Sequence, residues 1–291
     1  MKTAIEPSTS RHRETMETTP GVIGDERNGR EQEFHDEWAH SLAPEDVLVD
    51  ASWEGVTAPE HRWIRKQLGD LKGKRVLDLG CGAGEAAVWF AKQGADVVAS
   101  DLSPGFLDLV NRVAKLHGVT VATHQADADR LDLPADSFDV VYAGHLLHHV
   151  DFDDALNRLH RVLKPGGVAV TWDPLRHNPI INLYRRMASD VRTPDEQPLH
   201  IHDVRRFSRL FEDVRHECFW LATLWLFVRF YLIERVHPRQ DRYWKRVIRE
   251  HARLAPVYNR LARVDWVMLR AAPFLRRYCW NVAICARKPV R

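Results

Sequence analysis

Two acids flanking a bend of glycines carry the first chemistry that the sequence suggests. The run Val76-Leu-Asp-Leu-Gly80-Cys-Gly82-Ala-Gly84-Glu85 leads from an apolar stretch into a helical pattern, and Asp101 follows a second apolar stretch. Glycines at such a junction permit a tight turn and let a ligand approach backbone amides at a helix N-terminus. A dinucleotide fingerprint reads GxGxxG. Here the spacing is GxGxG, Glu85 stands where the third glycine would be, and Asp78 ends the strand. That negative charge suits a ligand with an ammonium group better than a pyrophosphate, which disfavours a nicotinamide oxidoreductase. Asp101 stands where a carboxylate accepts both hydroxyls of a ribose.

A second constellation is His148, His149 and Asp173, at the ends of the expected fourth and fifth strands. A carboxylate beside an imidazole raises its pKa and fixes its tautomer, as a general base requires. The plainer alternative is that the LHH segment is a packing and loop signature. His177, Tyr184, Arg185 and Arg192 leave the fifth strand at the same edge. They are candidates to line a substrate pocket, where Tyr184, Arg185, Arg186 and Arg192 could hold a carboxylate or phosphate, against the reading of solvated arginines on a surface helix. Trp220 and Trp225, with Phe219, Phe227, Phe230 and Tyr231, form either an apolar lid over a hydrophobic or aromatic substrate or the packing face of a cap helix.

These residues need a frame. Strand patterns at Arg75–Leu79, Asp96–Ser100, Val119–Gln125, Phe138–Ala143 and Val168–Trp172 alternate with helical patterns at Glu85–Gln93, Pro104–Leu116 and Asp153–Val162. This rhythm predicts α/β architecture with a mainly parallel, doubly wound sheet. Val214–Trp220 and Cys279–Ala286 add a sixth and a seventh strand, giving a Rossmann-like, seven-stranded sheet with a helical cap between its last two strands. Residues 174–200, with four prolines, read as irregular. The division is a disordered tail over 1–30, N-terminal helices over 31–71, the main domain over 72–220 and 275–291, and the cap over 221–274. Phe34, Trp38 and Leu42 recur at helical spacing, giving a short amphipathic helix over Glu31–Leu42 that also carries His35.

Composition limits the remaining classes. The 291 residues are 45% hydrophobic and 28% charged, the values of an ordinary globular protein. The four cysteines form no CxxC pair or zinc-finger spacing, so a reduced, cytoplasmic protein without a bound metal is expected. The first twenty residues lack an apolar signal region, and the longest apolar run, Cys218–Val228, is too short to span a bilayer. Up to Asp173 there are 18 Lys and Arg against 29 Asp and Glu; beyond it there are 24 against 11. The basic half offers a phosphate track for nucleic acid, a face for anionic lipid or an acyl-carrier protein, or a solvated helical surface. Against nucleic acid, no (D/N)PP(Y/F) block follows the fourth strand, where the chain reads AGHL.

Four blocks in order, VLDLGCGAG, VVASDLSP, QADADRLDLPADSFDVVYAGHLLHHV and RVLKPGGVAVTWD, resemble the class I S-adenosylmethionine-dependent methyltransferases over residues 72–173. Among branches, the chain looks most like the ubiquinone/menaquinone-methyltransferase-like group acting on small molecules. The resemblance implies S-adenosylmethionine as cofactor, S-adenosylhomocysteine as product and no metal. It implies that Asp78 with the loop Gly80, Cys81, Gly82 and Gly84 holds the methionine moiety, and that Asp101 binds the ribose. Leu102 would pack on the adenine, Asp127 and the Ala128 amide would meet its edge, and Gly144–His145 would close over the amino-acid end. The helix that carries Phe34, His35 and Trp38 would fold over the ligand site as a gate. The activity implied is methylation of a small, hydrophobic or aromatic molecule, foremost on oxygen, in the biosynthesis of a secondary metabolite, quinone or lipid-like compound. Methylation on carbon or nitrogen, a nucleic-acid methyltransferase and a non-catalytic cofactor-binding protein are the alternatives.

Overall fold

The computed structural model describes residues 29, 32–128, 131–187 and 196–290; apart from Gly29, the expected tail lies outside them, as does Arg192. In chain order the elements are α1 (32–40), α2 (Val49–Glu54), α3 (Pro59–Leu68), β1 (Arg75–Leu79), α4 (Glu85–Lys92), β2 (Asp96–Asp101), α5 (Pro104–Leu116), β3 (Ala122–Gln125) and β4 (Phe138–Gly144). There follow α6 (Phe152–Val162), β5 (Leu163–Pro174), α7 (Pro179–Met187), α8 (Val204–Phe207), β6 (Glu212–Phe219), α9 (Trp225–Leu232), α10 (Tyr243–Arg249), α11 (His251–Ala271) and β7 (Asn281–Arg287). Local signals set several of these boundaries. Ser103 accepts from the Phe106 amide at 3.0 Å and Pro104 opens α5, while Asp151 accepts from the Asp154 amide at 3.0 Å to start α6.

The strands form one sheet in the order β3-β2-β1-β4-β5-β7-β6. Pairing is parallel from β3 through β5, and β7 lies antiparallel between β5 and β6. The chain leaves edge strand β3 and re-enters beside β1, so the strand order reverses between β1 and β4. In open α/β sheets, a crevice forms at the C-terminal ends of the strands flanking such a reversal. Asp78, Asp101 and Gly144 all lie at those ends. The fold is therefore the expected Rossmann-like α/β sheet.

Two local expectations need correction. β5 begins at Leu163, paired with Phe138, and a register shift before the Val140–Val168 pair absorbs the Lys164-Pro-Gly-Gly167 stretch that reads as a turn. Gly166, at φ +76°, supplies the left-handed residue this bulge needs. Residues 174–200 are not wholly irregular either. Asn178 accepts from the Ile181 amide at 2.9 Å and Pro179 opens α7, so this proline starts a helix.

Helices α2–α5 cover one face of the sheet, where the Trp53 and Trp89 rings stack 4.4 Å apart. α6 and α8 cover the other. A third apolar cluster, including Trp220, Phe227, Phe230, Tyr243 and Tyr258, lies beneath the helices inserted between β6 and β7. Each such side chain fully withdrawn from water contributes roughly 1.5–3 kcal/mol.

A single acid fastens this insertion to the end of β6. Asp265 of α11 is buried and accepts from the amides of Leu221, Ala222 and Thr223 and from the Thr223 hydroxyl, the last at 2.7 Å. These donors begin the helical turn that leads into α9 and have no carbonyls before them to use. Asp265→Ala is expected to destabilise the protein by about 2–4 kcal/mol, since charge-assisted bonds are lost and buried amides are left unpaired. Urea denaturation checks this; an unchanged midpoint would mean that the cap does not depend on Asp265.

Candidate active site

The crevice opens into a cavity of about 430 Å³. Its first wall is the bend after β1. The amides of Gly80 and Cys81 both donate to the Ser100 carbonyl, at 2.8 and 3.0 Å, which folds the loop back onto β2. Gly80, Gly82 and Gly84 have φ of +70°, +50° and +88°, a region where side chains are strained. The space beside Gly82 is open, with nothing within 4 Å of where a Cβ would stand. Gly84 differs: it caps α4 against Val110 and does not line the cavity, so its part in the site is to fit helix to helix.

Asp78 and Asp101 stand on adjacent strands at this bend, and both are buried. Among the described residues nothing donates to Asp78 Oδ2. Burial pushes the Asp78 carboxyl up to about 8, against a hydrogen bond from the Ala87 backbone, and the charges of Asp101 and Glu85 add to the rise. Asp101 Oδ2 accepts from the Gly82 amide at 2.9 Å and Oδ1 from the Ser103 amide at 3.0 Å. Burial nevertheless raises its pKa, outweighing those amides and the nearby His35. Leu102, Asp127 and Ala128 line the same cavity, as do Cys81, Gly144 and His145.

Of the two candidate histidines, it is His148 that meets Asp173. His148 Nδ1 lies 2.8 Å from Asp173 Oδ1, and the His148 amide reaches the same oxygen at 3.3 Å. Both residues are buried; His148 lines the cavity and Asp173 sits behind it. Burial holds the Asp173 carboxyl well above the usual carboxylate range. Within such a pair the proton is shared property, and the pair titrates as a unit. His149 lines the cavity beside it, with ring centroids 4.2 Å apart, and ligand atoms of His148, His149 and Glu196 lie within 4.8 Å of one another.

The expected substrate residues divide. Tyr184, Arg185 and Trp220 line the cavity. His177 does not; it packs against His200, Nε2 to Nδ1 at 3.1 Å. Trp225 is 47% exposed and outside the lining. The lid reading of α9 is thereby corrected: Phe227 and Phe230 turn inward onto Tyr243, while Trp225 and Tyr231 face solvent. Trp244, Lys245, Val247 and Ile248 of α10 cover the cavity instead. They meet His35 and Trp38 of α1, which also line it; the Trp38 and Trp244 rings are 6.4 Å apart, and the Arg242 guanidinium lies 4.2 Å from the Trp38 ring centroid. Asp36 anchors α1 by accepting from the Gly105 amide at 3.0 Å and from the Ser103 hydroxyl.

Sequence reasoning missed a further polar group. Trp172 Nε1 donates to the Tyr142 hydroxyl at 2.6 Å, which lies 3.2 Å from His61 Nε2. Burial pulls His61 down to about 4, so the ring is neutral; its Nδ1 donates to the Ser52 carbonyl at 2.7 Å, and Nε2 accepts from Tyr142. A Cβ at Gly144 would stand 2.5 Å from that hydroxyl, which explains glycine there. Glu60 and Asn281 line the cavity nearby. No motif marks these residues; the fold alone brings α3 to β4, β5 and β7.

Comparison with known proteins identifies the family and the fold. The family described as "Methyltransferase domain" matches residues 77–171. The chain is 32% identical over 185 residues to the ubiquinone biosynthesis O-methyltransferase of Alkalilimnicola ehrlichii, covering 58% of this chain and 72% of that protein. It is 35% identical over 135 residues to a ubiquinone/menaquinone biosynthesis C-methyltransferase of Vibrio campbellii, covering 44% and 52%. A similar solved structure is phosphoethanolamine N-methyltransferase 2 of Haemonchus contortus in complex with S-adenosyl-L-methionine, at 22% identity and a TM-score of 0.54, covering 79% of this chain and 52% of that one. The chain thus spans about half the length of the latter two, and the last likeness is one of fold.

The buried acids make stability depend on pH. Asp78, at about 8, and Glu60, at about 7, stay protonated in the folded chain after their unfolded counterparts have ionised near 4. The unfolded state then binds fewer protons, so their contribution is full below pH 4 and is lost as pH rises through 7 and 8. His61 acts oppositely, but only below its ordinary value of 6.5. The urea midpoint of the ligand-free protein is therefore expected to fall from pH 6.5 to 8.5, and Asp78→Asn to flatten the fall. A wild-type midpoint that holds or rises across that window would contradict the assignment.

Proposed function

We propose a function from one premise: this chain belongs to the class I S-adenosylmethionine-dependent methyltransferases, in the branch of the ubiquinone and menaquinone methyltransferases. It is a methyltransferase whose cofactor is S-adenosylmethionine. The residues around the bend suit that cofactor. A buried carboxylate oxygen of Asp78 lacks a donor among the described residues, and an ammonium group would supply one. Both Asp101 oxygens accept one amide each and keep a lone pair for a ribose hydroxyl. In this reading Leu102, Asp127 and Ala128 would meet the adenine, and Gly80, Cys81, Gly82, Gly144 and His145 the amino-acid end; all of them line the cavity.

The bound cofactor supplies an electrophilic methyl group on a sulfonium. The chain's own part is alignment and proton removal. The acceptor is a small, hydrophobic or aromatic molecule, held between the α10 side chains, Tyr184, Arg185 and Trp220. Oxygen is the favoured acceptor atom, and the observation that carries this is the buried His148–Asp173 pair on the same cavity as the Asp78–Asp101 bend. With Asp173 ionised and accepting from Nδ1, His148 Nε2 is free of its proton and takes one from a hydroxyl. Because burial favours the neutral pair, this state is reached as pH rises, so turnover climbs with pH across the pair's ionisation. Such a product belongs to the biosynthesis of a quinone, secondary metabolite or lipid-like compound. Among the described residues no helix is long and apolar enough to cross a membrane.

Screening hydroxylated aromatics with methyl-labelled S-adenosylmethionine provides the assay. His148→Ala is expected to lower kcat about 10²–10⁴-fold while S-adenosylhomocysteine affinity stays within roughly twofold. Asp101→Ala is expected to abolish that affinity. Full turnover in His148→Ala would remove the base; unchanged affinity in Asp101→Ala would remove the cofactor assignment.

A further inference from the structure

The wall formed by α3 and the start of β7 holds a polar group that the methyl transfer described above does not use. Glu60, in the first turn of α3, is 3% exposed, and Asn281, which opens β7, is 1% exposed. They are joined across 221 positions of chain by a 2.8 Å hydrogen bond from Asn281 Nδ2 to Glu60 Oε1, and both line the cavity. Among the described residues, no Lys, Arg or His lies within ion-pair distance of Glu60. Arg62, two positions along, spends its Nη1 on the carbonyls of Gly55 and Val56. Nor does any described residue donate to Asn281 Oδ1, which is buried.

Such an arrangement is costly. A carboxyl buried without a cation and an amide oxygen buried without a donor are each less favourable than apolar residues of similar volume would be. Burial accordingly pushes Glu60 up to about 7. A second cost stands beside it. Trp220, which lines the same cavity, has φ +67°, a left-handed conformation that a bulky residue adopts only under constraint, at roughly 1–3 kcal/mol. The Trp280 amide holds it there, 3.0 Å from the Trp220 carbonyl. The Trp220 and Trp280 rings, 5.9 Å apart, both face the cavity. Trp220 also packs on Phe227 and Tyr258, but the buried Glu60 carboxyl and the unpaired Asn281 amide oxygen serve no packing, and a ligand that brings donors to this ring-lined wall offsets their cost.

We propose that Glu60, Asn281 and Trp220 form a second binding pole of the cavity, which receives a hydrogen-bond-donating group, a hydroxyl or an amine, on the acceptor molecule. This rests on the reading that the cavity holds an aromatic acceptor. The pole uses other residues than the proton-removing pair: a series of rings, His61, Trp172, His145 and His148, with successive centroids 4.9, 4.1 and 5.6 Å apart, links the residue next to Glu60 with that pair. The acceptor is therefore bifunctional. One polar group meets His148 and is methylated, and the other is anchored at Glu60 and Asn281.

Four naphthalenes that share a 1-hydroxyl and differ at position 5 test this: hydroxyl, amine, methoxyl and hydrogen. Calorimetry measures their binding to the protein loaded with S-adenosylhomocysteine. The hydroxyl or the amine is expected to bind roughly tenfold or more tightly than the methoxyl and hydrogen compounds, because a site built for a donor rejects an isostere lacking one. The stronger of the two identifies the group. Glu60→Gln is expected to remove most of an amine preference, and Asn281→Leu most of a hydroxyl preference; a merely structural role would weaken all four compounds alike. Equal binding of the four compounds, a preference that survives both substitutions, or no binding to the loaded protein overturns the pole. Failure of S-adenosylhomocysteine itself to bind overturns the cofactor assignment instead.

Discussion

Carboxyl groups withdrawn from water at the ends of neighbouring parallel strands set the conditions for the rest of this molecule. An ionised carboxylate in an apolar interior is unfavourable by several kcal/mol unless paired, so it takes up a proton or awaits a cation. Asp78 and Asp101 are in this position because β1 and β2 run side by side into the cavity floor, and the glycine bend lets the backbone turn away without covering them. Each Asp101 oxygen receives an amide, whereas Asp78 Oδ2 receives nothing from the described residues. The asymmetry separates a position that orients hydroxyls from one that attracts positive charge.

Everything above the floor keeps water from neutralising that arrangement. α1 is fixed to α5 through Asp36, α10 reaches over from the insertion, and the two meet at Trp38 and Trp244. The insertion stays in place because Asp265 ties α11 to the chain leaving β6, and because Phe227, Phe230 and Tyr243 fill the space beneath it. Exclusion of water strengthens each electrostatic contact inside, including the His148–Asp173 bond. The same enclosure makes Glu60 and His61 depart from their ordinary titration in opposite directions, one held protonated and the other held neutral.

Much of this was legible before any coordinates. Apolar runs of strand length, each broken by a glycine or a capping residue, located the sheet, and the acids ending the first two runs located the cavity floor. That Asp173 would neighbour His148 and His149 followed from their places at the ends of neighbouring strands; which of the two it meets did not. What escaped was set by tertiary contact. Glu60 follows a proline at a helix start, where an acid is ordinarily solvated and favourable, so nothing local discloses its burial against Asn281. α2 escaped because Ser52 interrupts its apolar stripe. α9 is apolar on nearly every side, so its sequence could not tell which rings would turn inward; Trp225 and Tyr231 turned out.

The central physical claim is that Asp78 holds a proton near neutral pH and releases it to solvent when a ligand's ammonium group binds beside it. Calorimetric titration of S-adenosylhomocysteine at pH 7, in buffers of different ionisation enthalpy, counts the protons exchanged on binding. Release of about one proton by the wild type, and of none by Asp78→Asn, is the expected result. Binding without proton release, or equal release from both proteins, would contradict it.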